Sequence, residues 1–317
     1  MRQVQPFILF TFLIAFSSFA QAQQLYVKTF GPASGKPLLF LHGGPGGSTL
    51  DFELTTAPEL AKKGFFVIVY DRRGEGRSIS DSAKFTFEET FNDIHGIYKQ
   101  YNIKSAALLG HSFGGVVAGK FAAQYPQQVN HLILAGAPLS LQHMFRTILT
   151  NVQNASKDSG LLKQLHEVKG YDTASIHYSS GCFMLAMQAR LYNTGNPTPK
   201  ARQLYKEMME HEAMKQYTAS LTATNYKTML NPVMGFWKNE KYTTLDITTA
   251  LHKVSKENIP IYGIYGKEDG LFNPAHINTL RGIIGNESRV LYLDNCSHGV
   301  FMDQQDIFIA SITDWLK

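Results

Sequence analysis

The chain has 317 residues, of which 44% are hydrophobic and 17% charged, with a formal net charge of +5. That apolar share supports a sizeable core, and the modest charge excludes a disordered polyelectrolyte. The length suits two units or one large unit with an insertion, and no Lys/Arg run accompanies the positive charge, so nucleic-acid binding is not expected.

The chain opens with Arg2, an apolar run over residues 7–16, and then Ala20-Gln21-Ala22, a small-x-small cleavage pattern. The run is about half of the ~20 residues that a spanning helix needs. Residues 1–22 are therefore expected to be a signal peptide, and the mature protein to be exported, periplasmic or secreted. An uncleaved anchor and a buried N-terminal strand are the alternatives. No later stretch is long and apolar enough to span a membrane, so no span is expected after cleavage. That compartment permits disulfides. The two cysteines, Cys182 and Cys296, are expected as separate buried thiols, with a bridge as the alternative.

Strands are expected over 25–30, 37–41, 65–70, 105–109, 131–135, 259–265 and 289–293. The run at 65–70 is apolar throughout, as in a strand covered on both faces. Helices are expected over 49–62, 86–101, 113–124, 274–284 and from 306 to the end. Such alternation implies an α/β fold, a mostly parallel sheet with helices on both faces. Residues 139–257 break the rhythm. They hold no confident strand and much helical spacing, as at Phe183, Leu185, Met187 and Leu191. They read as a helical cap insertion, with 23–138 and 258–317 forming the core. The cap is rich in Met and aromatic residues (Met184, Met187, Met208, Met209, Met214, Phe236, Trp237). These fit its own packing, or an apolar pocket.

Gly110-His111-Ser112-Phe113-Gly114 joins an expected strand to a helix that starts with small residues. Gly-x-Ser-x-Gly in that setting puts a serine on a sharp turn at the carboxyl edge of the sheet. It also sets the Phe113 N–H at a helix start, aimed at a developing oxyanion. A serine hydroxyl needs a base. His298 follows the strand at 289–293, and its acid should follow the strand before. Asp269 is preferred there and Glu268 is the alternative. His-Gly-Gly-Pro-Gly-Gly at 42–47 closes an earlier strand, and the Gly44 N–H is assigned as the second oxyanion donor. No Gly-Lys-Ser/Thr follows, so it is not a phosphate-binding P-loop. His42 and His111 are read as packing and hydrogen-bonding residues. The charges of Asp71-Arg72-Arg73-Gly74-Glu75-Gly76-Arg77-Ser78 are read as pairing locally. Binding of a substrate carboxylate by Arg72 or Arg73 is the alternative.

Together, residues 42–47, 71–78 and 110–115 with Asp269 and His298 resemble the α/β-hydrolase superfamily. The first two motifs resemble its proline iminopeptidase branch. The resemblance implies an eight-stranded, mostly parallel sheet with a helical cap over the serine. It also implies an acyl-enzyme mechanism without metal or cofactor, acting on a small molecule or short peptide. Aminopeptidase action on N-terminal proline is the favoured activity. Carboxylesterase or lactonase action comes second, and a non-catalytic ligand-binding protein third. That branch usually has Gly before the serine, Trp after it, and Gln at position 72; here stand His111, Phe113 and Arg72. The first strand of its N-terminal hairpin has no counterpart in the pattern. Its cap carboxylates hold the substrate amine, for which Glu207, Glu210, Glu212 and Glu240 are the candidates.

Overall fold

The structure is a computed structural model that describes residues 25–221 and 226–317. The signal peptide expected over 1–22 lies outside the described residues. Seven strands form one sheet: β1 (Val27–Phe30), β2 (Lys36–Leu41), β3 (Phe65–Tyr70), β4 (Ala106–His111), β5 (Val129–Ala135), β6 (Ile261–Gly266) and β7 (Val290–Leu293). Their order is β1-β3-β2-β4-β5-β6-β7. Only β1 runs antiparallel, against β3. These are the seven strands expected from the pattern. The eighth that the resemblance implied is not among the described residues.

Alternation along each strand divides the core in two. Leu39, Leu41, Ile68, Leu108, Leu132 and Leu134 pack on one face. Leu38, Phe40, Val67, Val69, Leu109 and Ile133 pack on the other. The chain moves from β2 to β3 on one side, and then to β4 on the other. This reversal opens a crevice at the carboxyl ends of β2 and β4, where ligands bind in such sheets.

Local chemistry explains most helix boundaries. Thr86 caps the helix Phe87–Gln100 by accepting from the Glu89 N–H, and the Glu89 carboxylate returns to the N–H groups of Lys84 and Phe85. The single helix expected over 49–62 is instead two, Leu50–Thr55 and Ala57–Ala61. Pro58 is the cause. It lacks an N–H and its ring would collide with the preceding turn, so it fits only where a new helix begins.

The cap leaves and re-enters the core at one place. Ser140 and Asp246 form an isolated antiparallel bridge. The Leu141 N–H donates to the Leu245 carbonyl at 2.9 Å, and the Ile247 N–H to the Leu139 carbonyl at 2.8 Å. Beyond this neck, the helix Thr248–Lys256 lies on the core helix Phe113–Gln124, where Gly119 leaves room for Ile247 and Leu251. Cys182 in the cap and Cys296 in the core are both buried and unbridged. Among the described residues, no helix is long and apolar enough to cross a membrane.

Two glycine substitutions should behave oppositely. A methyl at Gly114 would run into the backbone carbonyl of Leu41, which cannot move aside. Gly114→Ala is expected to cost about 3 kcal/mol or more, lowering Tm by roughly 6–12 °C. A Cβ at Gly96, mid-helix, meets nothing within 4 Å. Gly96→Ala is expected to stabilise by up to about 1 kcal/mol. Thermal unfolding of both variants checks the pair.

Candidate active site

Ser112 stands between β4 and the helix Phe113–Gln124, with φ 51° and ψ −124°. A side chain rarely adopts that positive φ, and such strain persists only where the surroundings enforce it. Here the Ser112 N–H is tied to the Ala135 carbonyl at 3.0 Å. A Cβ at Gly110 would sit 2.5 Å from the Gly114 carbonyl oxygen, so the turn closes only with glycine. The helix that follows starts at Phe113, whose N–H has no intrahelical acceptor. The Phe113 ring is buried against Phe236 and Tyr242 of the cap, with centroids 5.1 and 5.5 Å away.

The loops after β6 and β7 bring Asp269 and His298 together. His298 Nδ1 lies 2.8 Å from Asp269 Oδ2. The other carboxylate oxygen accepts the Leu271 N–H at 3.0 Å. Asp269 is fully enclosed, and His298 is nearly so. An Nδ1–H donated to the carboxylate leaves Nε2 as the basic nitrogen. Glu268 does not compete for this place. Its carboxylate accepts from Thr194 Oγ1 at 2.6 Å and from the Gly195 N–H at 2.8 Å, both in the cap.

Ser112 and His298 line one cavity of about 510 Å³. The Ser112 hydroxyl has no hydrogen bond among the described residues and opens onto that space. Such bonds often close only when substrate is bound. His111 braces His298. Its Nε2–H donates to the His298 carbonyl at 3.0 Å, and burial drives its pKa down to about 3.

The glycine loop at 42–47 forms the facing wall. A Cβ on Gly43 would stand 3.2 Å from that of Ser112. What shapes this loop is the buried pair Arg72–Glu75. The guanidinium donates to the carbonyls of His42 and Gly43, both at 2.6 Å, and to both oxygens of Glu75 at 2.9 Å. Glu75 in turn accepts the Gly46 N–H at 2.6 Å. Across a trans peptide, C=O and N–H point opposite ways. Holding the Gly43 carbonyl on Arg72 therefore turns the Gly44 N–H away from Arg72. His42 completes the brace, accepting the Arg72 N–H at 3.0 Å. Burial and the Arg72 charge keep His42 neutral, with a pKa down to about 4.

The local pairing expected in 71–78 is present, and it leaves neither arginine for a substrate carboxylate. Arg72 is buried and committed to Glu75 and two backbone carbonyls, and Arg73 is paired outside the loop, with Asp93. Sequence reasoning missed that the Arg72–Glu75 pair grips the glycine loop. The i, i+3 charge spacing was the available signal. The four cap glutamates are not among the residues lining the cavity. Glu207 and Glu212 bond Gln203 and Gln216, and Glu240 accepts the Phe87 N–H at 2.7 Å. The carboxylate that does border the cavity is Asp51 of the core, which no motif marked. Of the cap methionines, Met214 lines the cavity, whereas Met184, Met187 and Met209 are exposed. Among the described residues, no cluster of three or more His, Cys, Asp or Glu could hold a metal.

The buried imidazoles make stability depend on pH. Burial lowers His42 to about 4 and His111 and His276 to about 3, against 6.5 when unfolded. Below pH 6.5 the unfolded chain takes up protons that the native state does not. This contribution is therefore complete above pH 6.5 and lost as pH falls toward 3–4. Asp51, pushed up to about 6, acts in the opposite sense over part of that range. The net loss between pH 7.5 and 5.5 is expected to be about 3 kcal/mol. Urea denaturation at the two pH values measures it, and an unmoved midpoint would contradict neutral buried imidazoles.

Residues 36–305 match the family model described as the alpha/beta hydrolase fold. The chain is 24% identical over 298 residues to the proline iminopeptidase PfmaB of Pestalotiopsis fici, covering 93% of this chain and 96% of that one. It is 28% identical over 313 residues to the proline iminopeptidase of Lactobacillus helveticus, covering 92% and 94%. Among solved structures, the proline iminopeptidase-related protein of Thermus thermophilus superposes with a TM-score of 0.65 at 22% identity, covering 92% of each chain. With the family model spanning both halves of the core and the cap between them, the chain belongs to the α/β-hydrolase family.

Proposed function

We propose that this α/β hydrolase acts through an acyl-enzyme on Ser112 and releases N-terminal residues, proline or similar small ones, from short peptides. The observation that carries the reading is the 2.8 Å bond from His298 Nδ1 to Asp269, with His298 lining the cavity onto which the strained Ser112 opens. Asp269 holds the imidazole in one tautomer and stabilises the imidazolium. His298 Nε2 takes the Ser112 proton as the oxygen attacks the acyl carbon, then returns it to the leaving amine. The N–H groups of Gly44 and Phe113 hold the tetrahedral oxyanion. Water then releases the acyl group by the same steps. The peptide preference is supported by the relatives named as proline iminopeptidases, at 24% and 28% identity.

A carboxylic ester or lactone is the second reading. Two observations favour it: the cap lines the cavity mainly with apolar groups such as Phe183, Met214, Leu221 and Val233, and its four candidate glutamates lie elsewhere. We also propose export, on the strength of the cleavage pattern before Gln23. Cell fractionation with N-terminal sequencing tests this, and an intact Met1 on protein retained in the cytoplasm would refute it.

Ser112→Ala is expected to abolish fluorophosphonate labelling and to cut kcat by about 10⁴-fold or more. Wild-type protein that resists the probe would point to a non-catalytic binding protein instead. Parallel assays with prolyl arylamide and p-nitrophenyl esters separate the two substrate readings. Turnover of esters alone removes the aminopeptidase reading.

The loop brace has its own test. Removing Arg72 or Glu75 alone should destabilise by about 3–5 kcal/mol, since a buried charge is left unpaired. Arg72→Met with Glu75→Leu should recover most of that stability. It should still lower kcat by about 10²-fold, because the carbonyls of His42 and Gly43 are no longer held. A double variant with wild-type kcat would free the loop from any dependence on this pair.

A further inference from the structure

The cavity carries one carboxylate, that of Asp51, and no Lys or Arg among the described residues that line it. Asp51 is the second residue of the helix Leu50–Thr55, shortly after the glycine loop, so it belongs to the core, as Ser112 does, and not to the cap. One of its oxygens, Oδ1, accepts the adjacent Phe52 N–H at 2.7 Å. No ion pair involves Asp51 among the described residues. Arg77, whose charge reaches it, is committed to Asp71 at 2.7 Å and Glu53 at 2.8 Å. Arg72 and Lys28 are likewise bound, to Glu75 and Glu53.

A carboxylate without a cation, at the edge of an apolar cavity, is costly when ionised. Burial accordingly pushes its pKa up to about 6. Its side-chain bond to the Phe52 N–H, in the first turn of the helix, does not need a charge. A neutral Asn would cap Phe52 as well, and the other carboxylate residues of this region, Glu53, Asp71 and Glu75, all have partners. The remaining wall is apolar or neutral, with Phe40, Phe183, Met214 and Val233. It would pack the uncharged part of a bound molecule.

We propose that Asp51 is the specificity-determining carboxylate of this site, and that it receives a substrate ammonium group near the acyl carbon attacked by Ser112. On the aminopeptidase reading, on which this identification of the substrate rests, the ammonium is the free N-terminal amine of the peptide. The amine is then held from the core side of the cavity, not by the cap glutamates. Neutral esters enter the same cavity without using Asp51. A carboxylate whose only cationic partner is its substrate also favours that substrate over neutral analogues of equal size.

The test uses the full protein and a neutral reporter, p-nitrophenyl butyrate. Butylammonium should inhibit its hydrolysis competitively, and n-butanol of similar size should inhibit far less. Asp51→Asn keeps an acceptor for Phe52 and is expected to raise the inhibition constant for butylammonium about tenfold to a hundredfold, leaving that for butanol in place. Asp51→Ser should do the same, with folding of both variants verified by thermal unfolding. Where prolyl arylamide is a substrate, the ratio of its kcat/KM to that of the ester should fall by a similar factor, through KM. Butylammonium inhibition that is absent in the wild type, or unchanged in both variants, overturns the proposal. Loss of arylamide turnover in the wild type alone removes the aminopeptidase reading, and the butylammonium comparison still decides the role of Asp51.

Discussion

The carboxyl edge of the sheet depends on how closely the helix Phe113–Gln124 can approach the strands beneath it. Gly114 lies against the backbone of Leu41 in β2, and Gly115 against Ala137 beyond β5. With no side chain at either position, the helix lies close against β2, β4 and β5. The connection from β4 must then turn so sharply that Ser112 takes a positive φ. The strain is held by hydrogen bonds and packing on every side, which is what allows a single strained residue to persist. The position of the serine is therefore a consequence of helix-to-sheet distance, set by missing methyl groups.

Around that point the protein uses buried charge as scaffold. Arg72 and Glu75 are almost completely enclosed, an arrangement that contributes little net stability by itself. Their value is geometric. A planar guanidinium can hold two consecutive carbonyls and a carboxylate at once, which neither Lys nor Gln can do. The glycine loop has no side chains with which to fix itself, so its shape is imposed from below. His42 and His111 act similarly, as neutral imidazoles whose ring nitrogens hold defined backbone partners.

The cap is attached to the machinery it covers. Beyond the neck at Ser140 and Asp246, it reaches both loops that carry Asp269 and His298. Glu268 bonds Thr194 and Gly195, the Gly270 N–H donates to Leu191, and the Gly270 carbonyl accepts from Asn151. On the other side, Tyr205 donates to Asp303, whose second oxygen accepts both the N–H and the hydroxyl of Ser297 beside His298. Movement of the cap would be felt at Asp269 and at His298 through short polar contacts. Glu268 thus has a reason to stand beside Asp269 without sharing its role.

Much of this was legible in the sequence because it rests on local rules. Apolar runs of strand length, glycines around Ser112 and the order of Ser112, Asp269 and His298 along the chain fixed the sheet, its helices and the three side chains at its edge. The partner of His298 was readable to within one residue, since Asp269 and Glu268 differ only in which way the loop presents them. Only the tertiary structure decided what depends on convergence of distant segments. It set Asp269 on His298 and Glu268 on the cap, turned Arg72 and Glu75 onto the glycine loop, and put Asp51, in place of any cap glutamate, at the cavity. Periodicity reports which face of an element is apolar, but a lone charge has no period. Its partner, or the lack of one, exists only once the chain has closed around it.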